Sequence, residues 1–218
     1  MAKRFDLIVF DWDGTLLDSA AAIVSAIQAS CVDLGLPVPE DARARHVIGL
    51  GLHDALRHAV PELGVDDYPH MVERYRYHYL ARDHELALFG GAAELIERLA
   101  GGGWQLAVAT GKSRKGLDRA LAHSGLGAFF QGTRCADECF SKPHPAMLEE
   151  LMAELVVEPE RTLMIGDTTH DLQMAQNARV GAVGVSYGAH PLEQLASVPS
   201  LACVDSMEAL DSWLSQNG

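Results

Sequence analysis

Phe5-Asp6-Leu7-Ile8-Val9-Phe10, running into Asp11-Trp12-Asp13-Gly14-Thr15, is the stretch from which the fold is read. Its first part is short and mostly apolar, the pattern of a strand buried on both faces rather than one with a wet side. Two carboxylates, one residue apart, follow it directly. Gln105–Ala109, Thr162–Ile165, Ala182–Ser186 and the fainter Leu201–Val204 repeat the apolar type. Between them helical patterns occupy Ala92–Ala100, Lys115–His123, Pro145–Leu155 and Leu172–Arg179. Gly101-Gly102-Gly103 stops the first of these and Gly181 follows the last, as helix ends require. Strands alternating with helices predict an α/β fold: a Rossmann-like parallel sheet with helices on both faces.

The stretch Leu16–Phe89 departs from that alternation. It reads as successive helices over Ser19–Leu34, Glu40–His46, His53–Val60 and Pro69–Asp83, with breaks at Gly35–Pro39, Gly49-Leu50-Gly51 and Pro61–Asp67. An all-helical block inserted after the first strand predicts a cap over that strand's carboxyl end, the edge where open α/β sheets bind ligands. The expected division is a catalytic core of residues 1–15 and 90–218 and a helical cap of residues 16–89. Both connections pass through Leu16–Asp18 and Phe89–Gly91, the expected hinges. No internal repeat, low-complexity tract or further linker interrupts this plan.

The chain has 218 residues, 48% of them hydrophobic and 22% charged, enough for one core with a small lid. Its net charge of −13 argues against nucleic acid or an anionic membrane as partner, because both need a basic footprint. A small anionic substrate remains compatible, since a metal ion and a few cations reverse the sign inside one cleft. No stretch is apolar for long enough to span a bilayer. Met1-Ala2-Lys3-Arg4-Phe5-Asp6 reaches an acidic residue before any long apolar run, unlike a signal peptide. Cys31, Cys135, Cys139 and Cys203 form no dense framework, and Cys135/Cys139 lack a second pair at zinc spacing. The expectation is a cytoplasmic chain with reduced thiols.

Several polar residues stand at predicted strand ends. Asp11 and Asp13 follow the first strand, and Thr110-Gly111 follows the second. Lys142 lies in Ser141-Lys142-Pro143-His144-Pro145, before a helix that Pro145 can open at its first position. Asp167 follows Leu163-Met164-Ile165-Gly166, and Asp171 comes four residues later, one turn into the next helix. In a parallel sheet these ends face one edge, where they can converge. Clustered carboxylates repel unless a cation joins them, and oxygen donors without a His or Cys set point to magnesium rather than zinc. One carboxylate can attack phosphorus and a second can move protons, while a lysine and a hydroxyl hold phosphoryl oxygens. Taken singly, an Asp after a strand is often a cap or turn former, and Asp171 also suits a helix dipole unaided.

The helical block is less telling. Arg43, Arg45, His46, Arg57 and His58 make a basic cluster whose plainer reading is a solvated helical face. Gly49-Leu50-Gly51 allows either a turn or a close approach of backbone to substrate. Arg114 and Lys115 beside Thr110 are similarly open, and Tyr75-Arg76-Tyr77-His78-Tyr79 reads as an amphipathic packing face with polar tips.

The polar motifs, in this order, resemble those of the haloacid dehalogenase superfamily. Asp11–Asp18 resembles its first motif, Thr110 its second, Lys142 in Lys-Pro-His-Pro its third, and Gly166-Asp167-Thr168-Thr169-His170-Asp171 its fourth. The resemblance covers the whole chain, with Leu16–Phe89 where that family inserts its helical cap. It implies that Asp11 is nucleophile and magnesium ligand, and that Asp13 is acid/base and gives its backbone carbonyl to the metal. Asp167 would be a further ligand, with Asp171 supporting it directly or through water. Thr110, Gly111 and Lys142 would bind the phosphoryl group, and Trp12 would have no catalytic part. Chain length, cap and motif wording look most like the phosphoglycolate phosphatase-like branch, which also holds pyrophosphatases, nucleotidases and sugar-phosphate phosphatases. The resemblance thus implies a Mg2+-dependent phosphatase of a small phosphorylated metabolite, phosphoglycolate first, working through an aspartyl-phosphate as monomer or homodimer.

Rival chemistries are weighed on single residues. Haloacid dehalogenases lack the second aspartate of the first motif, which here is Asp13. Phosphonoacetaldehyde hydrolases need a cap lysine, and no lysine occurs from Leu16 to Gly111. A sugar phosphomutase keeps the same core residues and stays open as an alternative. A receiver domain carries its acceptor aspartate mid-chain and has no helical insert, and a catalytically idle binding protein would lack some part of the site.

Overall fold

The structure, a computed structural model, describes residues 3–218. Met1 and Ala2, with which the reading of the N-terminus and the core's first boundary begin, lie outside them. Six strands form one sheet: β1 (Leu7–Phe10), β2 (Gln105–Thr110), β3 (Gly132–Cys135), β4 (Thr162–Gly166), β5 (Gly181–Val185) and β6 (Ala202–Val204). Their order is β3-β2-β1-β4-β5-β6 and every pair is parallel. The chain moves outward from β1 through β2 to β3, then returns to the other side of β1 at β4. The switch point of the sheet is therefore the carboxyl edge between β1 and β4, where a crevice forms.

The helices are α1 (Ala20–Asp33), α2 (Asp41–His46), α3 (Leu52–Ala59), α4 (Tyr68–Arg82), α5 (Ala92–Gly101), α6 (Arg114–Ser124), α7 (Ala146–Leu155), α8 (Thr169–Asn177), α9 (Leu192–Leu195) and α10 (Met207–Asn217). Pleating sends alternate side chains of β1 to opposite faces. Ile8 and Phe10 join Leu106, Val108 and Ile165 under α5 and α10, through Leu95, Ile96, Leu99, Leu210 and Leu214. Leu7 and Val9 join Ala107, Ala109 and Met164 under α7 and α8, through Met147, Leu151, Leu172 and Met174. The four residues of β1 are entirely buried. At ~1.5–3 kcal/mol for each fully buried large apolar side chain, the central strand is held firmly from both sides.

Helices α1–α4 build a separate core from Ile23, Val24, Ile27, Leu56, Met71 and Tyr79, among others. The two passages between this region and the sheet run side by side. Asp18 N–H donates to the Ala87 carbonyl at 3.0 Å, and Phe89 N–H donates to the Leu16 carbonyl at 2.9 Å, around an antiparallel Leu17–Leu88 bridge. Among the described residues no helix is long and apolar enough to cross a membrane.

Some expected boundaries move. β1 starts at Leu7, although Phe5 is buried too. Thr110 is the last residue of β2 rather than its successor, and Pro145 stands just before α7. Helix α8 runs from Thr169 to Asn177, not Leu172 to Arg179, because Thr168 caps it and Arg179 adopts a left-handed φ of 62°. Asp171 accordingly lies in its first turn. β3 and α10 were not anticipated. Gly132-Thr133-Arg134-Cys135 is an edge strand with half-buried polar side chains, so it shows no apolar run.

Candidate active site

At the switch point Asp11 follows β1 and Asp167 follows the neighbouring β4, so their side chains meet without any long-range folding. Asp171 reaches them from the first turn of α8. One carboxylate oxygen of each of the three lies within 4.8 Å of the others, and all three residues are fully buried. Lys142, entering from the loop before α7, puts Nζ 2.8 Å from Asp11 Oδ1 and 2.6 Å from Asp171 Oδ1. These are close ion pairs, and among the described residues no donor other than Lys142 reaches either Asp11 oxygen or Asp171 Oδ1. Burial, with Asp171 and Asp13 adding repulsion, pushes the Asp11 carboxyl up to about 7 against the pull of Lys142. Asp167 is driven well above the usual carboxylate range by burial and by Asp11 and Asp171, opposed by its hydrogen bonds from Ala189 and Thr15. Burial works to lower the Lys142 pKa, but Asp11 and Asp171 outweigh it, so the lysine is held charged.

Local sequence fixes each of these groups. Thr15 Oγ1 donates to Asp167 Oδ1 at 2.9 Å and Ala189 N–H to Oδ2 at 2.7 Å. Asp171 is one half of a capping box: Oδ2 accepts from Thr168 N–H at 3.0 Å and from Thr168 Oγ1 at 2.7 Å. Its other oxygen faces Lys142, so the residue that caps the helix also belongs to the buried charged cluster. Gly14 has φ 78°, and a Cβ there would run into the Asp167 carboxylate.

Asp13 does not join the three carboxylates. Its side chain turns toward the helical region, where Oδ1 accepts from Ser19 Oγ at 2.7 Å and Lys112 Nζ donates to Oδ1 at 2.8 Å and Oδ2 at 2.9 Å. Lys112 also donates to Tyr79 Oη of α4 at 2.9 Å. Sequence reading missed Ser19 and Lys112. Only the position of Lys112, two residues after Thr110, hinted at it. Thr110 is buried at the carboxyl end of β2, and its Oγ1 accepts from Lys112 N–H at 3.2 Å.

The helical region touches the sheet edge through its backbone. A Cβ on Gly111 would collide with the carbonyls of Gly49 and Leu50, so the Gly49-Leu50-Gly51 turn sits directly on the Thr110-Gly111 loop. Gly51 N–H donates to Ser141 Oγ at 2.8 Å. His170 and His190 both donate through Nε2 to the His46 carbonyl, at 2.7 and 3.2 Å. Thr169 N–H donating to His190 Nδ1 at 3.1 Å fixes that tautomer, and burial pushes the His190 imidazole down to about 4. A cleft of about 660 Å³ opens here, with His46, Leu50 and His58 on one side and Ser141, Lys142 and His170 on the other. Arg43, Arg57 and His58 are otherwise solvent-facing, as the plainer reading of the basic cluster expected, and Arg114 is occupied by Glu138 and Asp118. A second hollow, over β3, is lined by Glu138, Glu150 and Glu154 but by none of Asp11, Asp13, Asp167 and Asp171.

Three buried carboxylates drawn together with only one lysine between them fit a divalent cation with a preference for oxygen donors. A parallel α/β sheet with a helical insert after its first strand and an acidic centre at its switch point is the arrangement of a Rossmann-like hydrolase. The chain belongs to the haloacid dehalogenase-like hydrolases, whose sequence profile matches residues 8–185. It is 35% identical over 206 residues to the probable phosphatase IndB of Dickeya dadantii, covering 92% of this chain and 89% of that one. It is 30% identical over 214 residues to a phosphoglycolate phosphatase of Agrobacterium fabrum, covering 94% and 90%. A crystal structure described as a predicted phosphoglycolate phosphatase from Haemophilus somnus shares the fold with a TM-score of 0.87, at 24% identity over 99% of each chain.

Proposed function

We propose that the chain is a magnesium-dependent phosphatase of small phosphomonoesters. The observation that carries this reading is Asp11, entirely buried, with the Lys142 ammonium 2.8 Å from Oδ1 and, among the described residues, no other donor on either oxygen. A carboxylate kept in that way is a nucleophile waiting for an electrophile. Asp11 attacks phosphorus, and the leaving oxygen departs with a proton from Asp13, giving an aspartyl-phosphate. Water then gives a proton to Asp13, attacks the same phosphorus and releases phosphate, which restores Asp11. Lys142, Thr110 and Gly111 hold the phosphoryl oxygens as charge moves. Asp11, Asp167 and Asp171, with the Asp13 carbonyl, would hold magnesium. Bound there, the ion supplies positive charge against the phosphoryl oxygens and relieves the repulsion among the carboxylates.

Residues 1–15 and 90–218 form the catalytic core in this proposal, and residues 16–89 the cap, a division supported by the separate apolar cluster of α1–α4. Phosphoglycolate is the first substrate to test, on the strength of the Agrobacterium relative's name. The decisive experiment is magnesium-dependent phosphate release from p-nitrophenyl phosphate by wild type and Asp11→Asn. A loss of at least ~10³-fold is expected, and equal rates would sink the assignment. A panel holding phosphoglycolate, pyrophosphate, a nucleoside monophosphate and a sugar phosphate then ranks the substrates.

A further inference from the structure

The buried charges at the centre account for Lys142 but leave Lys112 without a task. Lys112 has a side chain only 9% exposed, an Nζ bound to both Asp13 oxygens, and a third contact to Tyr79 of α4. Tyr79 is buried and stacked against Tyr75 at 5.8 Å, so the position of that ammonium is set from the helical side as well as from the sheet edge. The other cations nearby are committed elsewhere, Arg119 to Asp83 and Arg114 to Glu138 and Asp118, at more exposed positions. Lys142 is spent on the phosphoryl end, between Asp11 and Asp171.

We infer that Lys112 is a specificity-determining residue that selects substrates whose leaving group carries a negative charge close to the scissile oxygen. The inference rests on the phosphatase reading, in which the leaving oxygen arrives beside Asp13. Atoms one or two bonds beyond that oxygen then fall within reach of an ammonium lying 2.8–2.9 Å from the Asp13 carboxylate. A carboxylate in that place exchanges one carboxylate neighbour of Lys112 for another, so the lysine is never stripped of its counter-charge. Once Asp13 carries the proton it donates, it no longer supplies that counter-charge, and a neutral group of the same size then leaves the buried ammonium with neutral partners only, which a desolvated site penalises.

The test compares kcat and KM for phosphoglycolate and ethyl phosphate, which differ by that one charge, in wild type, Lys112→Met, Lys112→Arg and Tyr79→Phe, each in magnesium. Wild type is expected to favour phosphoglycolate in kcat/KM by about 10- to 100-fold, the usual worth of a charge-assisted contact. In Lys112→Met that ratio falls to about one, mainly through KM for phosphoglycolate, because the lost contact binds the substrate's distal charge. Lys112→Arg retains part of the ratio, and Tyr79→Phe lowers it through a misplaced ammonium. A wild-type ratio near one overturns the inference. So does a Lys112→Met enzyme that loses both substrates equally, which would make the lysine a support for Asp13 alone. If Lys112→Met does not fold, the inference stands or falls on the wild-type ratio and its change in Tyr79→Phe. No magnesium-dependent turnover of p-nitrophenyl phosphate by wild type would instead sink the phosphatase reading itself, a result distinguishable from the others.

Discussion

The sheet edge and the helical region meet across one cleft but bring different material to it. From the edge come ionisable side chains: Asp11, Asp167, Asp171 and Lys142, all buried, each constrained by the others and by short-range hydrogen bonds. From the helical side come mainly backbone groups, the carbonyls of His46, Gly49 and Leu50 and the N–H of Gly51, with Ser19, Tyr79 and Asp83 as side chains that reach charged groups. Charges in a low-dielectric pocket are sensitive to the loss of any one member, whereas a backbone surface depends on shape and tolerates most side-chain changes around it. The chemistry and the fit of the cleft are therefore separable.

The separation can be broken or sharpened by substitution. Asp167→Asn acts on the charged side. It should reduce turnover by about 10³-fold and abolish the magnesium-induced rise in thermal stability, which in wild type amounts to about 2.7 kcal/mol at a hundredfold excess over the dissociation constant. Calorimetry with and without magnesium reads this directly, and a persisting shift would place the ion elsewhere. Gly111→Ala acts on the shape side, because the added Cβ meets the Gly49 and Leu50 carbonyls. Turnover should drop by about 10²-fold, the scale of an ångström misplacement, while the magnesium shift stays at its wild-type size. Loss of that shift in Gly111→Ala would show that edge and roof are not independent. Smallest of all, Arg57→Ala on the exposed face of α3 should change kcat/KM by less than about twofold and stability by under ~0.5 kcal/mol. A larger change would give the basic face a part in substrate binding.

How much of this was legible in the sequence follows the same line. The edge was readable because each charged group stands no more than four residues from a strand end or helix start, and parallel topology then gathers them. The helical insert showed through its unbroken periodicity. What escaped depends on contacts between distant segments. Nothing local marks Lys112 as the partner of Asp13, 99 positions away, or of Tyr79 on another helix. His46 read as one member of a basic face, yet its carbonyl receives two imidazoles and its ring stacks on His190 at 5.0 Å. Trp12 has a buried Nε1 for which no hydrogen-bond partner stands among the described residues. It is entirely buried with an edge-on contact to Phe130, a packing duty that its place between two catalytic-looking aspartates conceals. β3 was silent for a different reason: an edge strand wet on one side does not need an apolar run. Helix α10 was overlooked, although Met207, Leu210 and Leu214 repeat at helical spacing along the face that packs on the sheet.

The paired passages at Leu16–Asp18 and Ala87–Phe89 carry a consequence for how such a chain diversifies. Because the two ends of the insert lie hydrogen-bonded to each other, the sheet experiences the whole helical region as if it were a single long loop closed at its base. Loop length costs little once the ends are joined, and inserts with adjacent termini are the ones that graft successfully. Segments of other sizes can be exchanged at that base with β1, β4 and the acidic centre left in place. The junction acts as a socket, through which one reaction core can be offered to many substrates.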